Sequence, residues 1–184
     1  MLPEVTIIRR LDKQQRVSFS LTQAALILAM GQIPAHNGKE GLASHVIDGV
    51  TDRHNLQNPV STTFVSHLES KVNAAIQYDQ TLLDKFYTTP LTVVGGSARL
   101  VYENLSSDDQ ERFHLKLILI VSKPREHAGF TTVKKVDCTS ESPEPLLQSR
   151  WAKDDYKLVK TQLDGMLNAC EAKVLAGLPT LLKK

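Results

Sequence analysis

Three histidines recur at nine-residue steps, His36, His45 and His54, with Asp48 and Asp52 between the last two. A metal site needs imidazole or carboxylate groups that converge on one point. A nine-residue step puts successive side chains on opposite faces of a helix, and no His-x-x-x-His pair occurs in the chain. The expectation is therefore loop histidines, with no metal ligand and no cofactor.

Nucleophiles fare no better. Gly96-Ser97-Ala98 lies between strand-forming residues, with no helix after it. A serine hydrolase elbow requires Gly-x-Ser-x-Gly on a strand–turn–helix corner. Cys138 with His114 or His127 is a conceivable thiol–imidazole pair, since all three lie in one strand-rich region. Asp108-Asp109 sits in a turn pattern, where solvent keeps both groups ionised and no acid–base division of labour arises. Gly95-Gly96-Ser97 lacks the lysine of a phosphate-binding loop and the spacing of a dinucleotide fingerprint. No catalytic residue is assigned.

Basic residues stand above this background. Arg112, Lys116, Lys123, Arg125, Lys134 and Lys135 fall in the strand region, and Arg9, Arg10, Lys13 and Arg16 near the N-terminus. On one shared face they would meet phosphates of a nucleic acid or an anionic surface. The net charge of +2 is too small to imply such a partner by itself. Single-strand binding also calls for exposed aromatics among the charges, and only Phe113 and Phe130 are near.

These residues hang on elements that the pattern of apolar residues predicts. A chain of 184 residues is expected to form one domain, 1–184. Aromatics make up only 5 %, so aliphatic side chains must fill the core. No apolar run reaches the roughly 18 residues of a membrane helix. Residues 24–30 follow basic residues as in a signal peptide, but Glu4 and Asp12 break the basic region. Cys138 and Cys170 lie far apart in no metal spacing, which suggests free thiols and the cytoplasm or another reducing compartment.

Residues 5–8 read as a short strand with residues 16–20 as a partner, and residues 21–28 as a helix. An irregular segment, 32–60, is punctuated by glycine and asparagine, with a short helix over 41–50. Val65, Leu68, Val72, Ala75, Ile76, Leu82 and Leu83 recur at helical steps within a helix over 61–87, weakened at Asp79-Gln80 and stopped before Pro90. Strands follow over 91–102, 113–121 and 130–136, the last charged enough to suit a sheet edge. Gly95-Gly96 marks a bulge, a tight turn or a close backbone approach. A second long helix is predicted over 152–176, with Asp154 and Asp155 in its first turn and Gly177 and Pro179 ending it.

The fold class expected is α+β: an antiparallel sheet of about four to five strands packed against two longer α-helices. Within it, the strand 113–121 carries Phe113, Leu115, Leu117, Leu119 and Val121 on one face and Ile118 and Ile120 on the other. Apolar residues on both faces mean that a second layer or a partner covers the second one. Ile118 and Ile120 are thus candidate interface residues. The function expected is a non-catalytic structural or assembly role, through a homo-oligomer or protein–protein contacts. Small viral and phage structural subunits share this motif-free, mildly basic profile. Two alternatives remain: a module binding nucleic acid (RNA-binding among the options) or an anionic membrane surface through the basic residues, and an enzyme whose site is scattered through the chain.

Overall fold

The computed structural model describes residues 4–8, 45–47, 56–83, 90–103, 111–124 and 133–182. Its strands are β1 (Thr6–Ile8), β2 (His45–Val46), β3 (Thr92–Tyr102), β4 (Arg112–Pro124), β5 (Val133–Asp137), β6 (Ser140–Glu141) and β7 (Leu146–Leu147). Its helices are a π-helical turn (Val60–Phe64), α1 (Val65–Tyr78), α2 (Gln80–Leu83) and α3 (Gln148–Leu181).

Strict alternation makes β4 the spine. Phe113, Leu115, Leu117 and Leu119 are fully buried, while His114, Lys116, Ile118 and Ile120 between them are half-buried. The two sets point to opposite sides because successive side chains in a strand do. β3 runs antiparallel along one edge of β4, and β5, β6 and β7 share the other edge. The sheet order is β2-β1-β3-β4-β5, so β5 with Lys134 and Lys135 lies at the edge of that path.

The expectation of a wholly antiparallel sheet of four or five strands is corrected. β1 pairs β3 in parallel, Thr6 opposite Arg99 and Ile8 opposite Val101, which makes the sheet mixed, and seven strands are described. A parallel neighbour needs a long crossover, and the span between β1 and β3 contains β2, α1 and α2. The short helix expected over 41–50 is also corrected, because His45–Val46 pairs β1 as a strand. Residues 16–20 and 21–28 lie outside the described residues.

Gly95-Gly96 resolves as a bulge. The register between β3 and β4 slips between Gly95 and Ser97, and both glycines have positive φ, 86° and 74°. A Cβ on Gly95 would stand 2.8 Å from the carbonyl oxygen of Ile118. Only glycine meets both demands. The buried amide of Asn58 holds the bulge from the side: its Nδ2 donates to Gly96 O at 2.7 Å, while its Oδ1 accepts from Val60 N at 3.2 Å. One side chain thus joins the start of the helical region to the sheet.

The helix expected over 61–87 begins earlier, at Val60, and breaks where its stripe weakens. Asp79 is extended (φ −108°, ψ 102°) and its carboxylate accepts from Thr81 N and Thr81 Oγ1, opening α2. Thr88 and Thr89 lie outside the described residues. α1 leans on α3, with His67 Nε2 3.0 Å from Glu171 Oε2.

α3 outruns its expected limits at both ends. Trp151 is fully buried and its Nε1 donates to Phe113 O at 2.9 Å, fixing the helix start on β4. Asp154, Asp155 and Tyr156 then take left-handed φ values of 51°, 56° and 57°. The acidic pair is therefore not the first turn of a regular helix, as the dipole argument had it, but an interruption within one. Aspartates tolerate this conformation better than most residues, and the twist lets both Trp151 and Tyr156 enter the core. Gly177 and Pro179 do not stop the helix, which runs to Leu181. Gly177 faces β5 instead: a Cβ there would come within 3.0 Å of Val136 Cγ2. Because Val136 lies opposite Val121, α3 covers the face of the sheet that carries Phe113 to Val121.

The expected free thiols are corrected too. Cys138 and Cys170 form a disulfide that ties α3 to the exit of β5. Both are buried, and Cys138 N donates to Leu119 O at 2.9 Å.

Candidate association face of the sheet

On the side of the sheet away from α3, three aliphatic residues cluster. Ile120 lies opposite Val94 on β3 and Asp137 on β5, and Ile118 lies opposite Ser97. Ile118 and Ile120 are half-buried, and Val94 is 53 % exposed. The bulge sets this geometry. It shifts the register of β3 by one residue at Gly95-Gly96, so Val94 and Ser97 both face outward beside the isoleucines.

Polar groups rim the cluster. Lys116 Nζ stands 3.2 Å from Glu141 Oε2, and His114 Nδ1 stands 3.3 Å from Glu141 Oε1. His114 Nδ1 also lies 3.0 Å from the carbonyl oxygen of Ser142, and the buried Ser142 hydroxyl accepts from Leu115 N at 3.0 Å. At the other end Thr92 Oγ1 and Ser122 Oγ are 2.8 Å apart. Asp137 accepts from Thr139 N at 2.7 Å. This backbone contact, and after it a side-chain hydrogen bond from Thr139, hold the Asp137 carboxyl below its usual range, with Lys173 and Lys135 adding to the effect.

The structure splits the basic residues. Arg112, Lys116 and Lys135 belong to the outward set of side chains, since Lys135 lies opposite Ser122. Lys123 and Lys134 face each other across β4 and β5 in the inward set, and Lys123 is only 4 % exposed. Lys116 is already paired with Glu141. Arg9, Arg10, Arg16 and Arg125 lie outside the described residues.

The catalytic candidates do not assemble. The disulfide leaves Cys138 no thiolate to pair with His114, and His127 lies outside the described residues. Ser97 lies within β3, which continues as strand to Tyr102, so no strand–turn–helix corner forms at the serine. Among the described residues no group of three His, Cys, Asp or Glu side chains is placed to hold a metal ion. His36, His54, Asp48, Asp52, Asp108 and Asp109 lie outside them.

Sequence reasoning missed Val94, because its place beside Ile120 depends on where the ladder slips. The signal was the Gly95-Gly96 pair next to it. It also missed the disulfide, for which a separation of 32 residues carries no local signature. No helix among the described residues is long and apolar enough to cross a membrane. No protein-family model, no curated protein and no solved structure matches this chain.

Proposed function

We propose that this protein is a non-catalytic structural or assembly protein that works by self-association through the outer face of β3 and β4, or by contact with another protein there. The observation that carries the reading is the aliphatic cluster of Val94, Ile118 and Ile120, left partly open to water on the side of the sheet away from α3. Apolar patches rimmed by polar residues mark protein interfaces when they extend beyond a few side chains. The pairs Lys116–Glu141 and His114–Glu141 supply such a rim.

Three side chains make the centre of an interface, not the whole. A standard contact covers about 800 Å² on each partner, so the rim must take part. Light scattering over a concentration series tests the idea. Growth of the particle with concentration, lost in Ile118→Asp/Ile120→Asp, supports it. Both positions are half-buried, so the variant keeps its inner core. A wild-type particle that stays monomeric at high concentration and captures no protein overturns it. Salt-sensitive retention on a phosphate-bearing column would favour the nucleic-acid or anionic-surface alternative.

A further inference from the structure

A second feature lies on the inner side of the sheet. Between α1 and the ends of β3 and β4 opens a cleft of about 570 Å³. This is within the range of small-molecule sites. Its helix wall presents Leu68, Val72 and Ile76, one stripe at four-residue steps, and its other wall presents Val93 and Val121 of the sheet with Leu91 just before β3. No aromatic residue is among the described lining residues. Such walls suit a flexible hydrocarbon chain better than a flat ring, which gains from aromatic stacking.

One cation stands in this aliphatic setting. Lys123 lines the cleft and is 4 % exposed. It lies directly across the ladder from Lys134. Facing like charges are unfavourable in a sheet, so each ammonium gains from a nearby anion. Lys123 and Lys134 are each already engaged within the fold, and an ammonium offers three donors, so a head group adds to the contacts present. Exposed Glu69 and Asn73 of α1 also line the cleft. The Glu69 carboxylate disfavours an anion beside it, and the buried Lys123 favours one beside its own charge.

We propose that this cleft binds an amphiphile made of an aliphatic chain ending in a single carboxylate, with the carboxylate at Lys123 and the chain between α1 and the sheet. A lysine is a compact point charge with rotatable donors, so it can pair with one carboxylate without the bidentate geometry a guanidinium would impose. The proposal does not depend on self-association, since the cleft and the outer cluster lie on opposite sides of the sheet.

The test is displacement of an environment-sensitive dye from the full chain by octanoate, decanoate and dodecanoate, with decyltrimethylammonium as the cationic control. Affinity is expected to rise about four-fold per added methylene while the chain still enters the cleft. Decanoate is expected to bind at least ten-fold tighter than decyltrimethylammonium, and Lys123→Met is expected to erase that preference. Should Lys123→Met fail to fold, Ile76→Lys tightens and Ile76→Glu weakens decanoate binding at the half-buried wall. Equal displacement by decanoate and the cationic control overturns the proposal. So does no displacement by decanoate below its aggregation concentration, or decanoate affinity that is unmoved in both Ile76 variants.

Discussion

Reducing the Cys138–Cys170 disulfide is expected to destabilise the fold by about 3.7 kcal/mol at 25 °C. The figure follows from the separation of 32 residues, using the chain-entropy relation for a loop of that length. The loss acts mainly through the unfolded chain, which gains freedom once the link is cut. The native contacts of α3 persist, because Trp151, Val159, Leu163, Leu167, Val174 and Leu178 remain buried on the sheet. Reductant can reach the bond through a shallow cleft of about 550 Å³ that both cysteines line.

The assay is urea unfolding of the oxidised protein, the reduced protein and Cys138→Ala/Cys170→Ala. With a slope of about 2 kcal/mol per molar, the midpoint should fall by about 2 M on reduction. The slope itself should rise, since an uncrosslinked chain exposes more surface when it unfolds. The double variant should fall close to the reduced protein, shifted by the small packing loss of two sulfur atoms. An oxidised and a reduced midpoint within about 0.5 M of each other would refute the reasoning. It would mean that native strain cancels the entropic gain, or that the unfolded chain is already held compact near these residues.

Other outcomes are equally open to measurement. Asn58→Ala should cost about 2–5 kcal/mol in denaturant unfolding, because it removes a fully buried amide that bonds both Gly96 O and Val60 N; a loss below about 1 kcal/mol would show that water replaces it. Leu117→Asp places a carboxylate at a position with no solvent exposure and should leave no folded, soluble protein. A folded product, by circular dichroism and exchange protection, would mean the core is misplaced. Asp137 has a folded-state pKa below its unfolded value, chiefly through Thr139. The unfolded chain therefore binds the proton first, and the stabilisation is present above about pH 4 and fades as the pH falls further. Wild type should exceed Asp137→Asn in stability at neutral pH, and the two should converge in acid; a constant difference down to pH 2 would contradict this.

Much of the local structure was written in short-range patterns. The alternation from Phe113 to Val121 placed β4 and named its buried face, all of it now buried. The weak stripe at Asp79-Gln80 marked the break between α1 and α2. The Gly95-Gly96 pair pointed to a bulge, a tight turn or a close backbone approach, and the structure shows a bulge with a close carbonyl, where positive φ leaves glycine as the one residue that fits. These features depend on neighbours a few positions apart, so a linear reading captures them.

What the tertiary structure decided is long-range. Whether Gly177 and Pro179 end a helix or sit inside one depended on the packing of α3 on the sheet, where Val136 Cγ2 stands 3.0 Å from the place a Cβ on Gly177 would take. Cys138 and Cys170 read as separate thiols until the packing of α3 on the sheet brought them together. Parallel pairing of β1 with β3, the outward cluster of Val94 with Ile118 and Ile120, and the division of the lysines between two faces all follow from strand order and register. Chain residues set propensity and period, but which distant segments meet is chosen by the packing of the whole core, and that choice has no local trace.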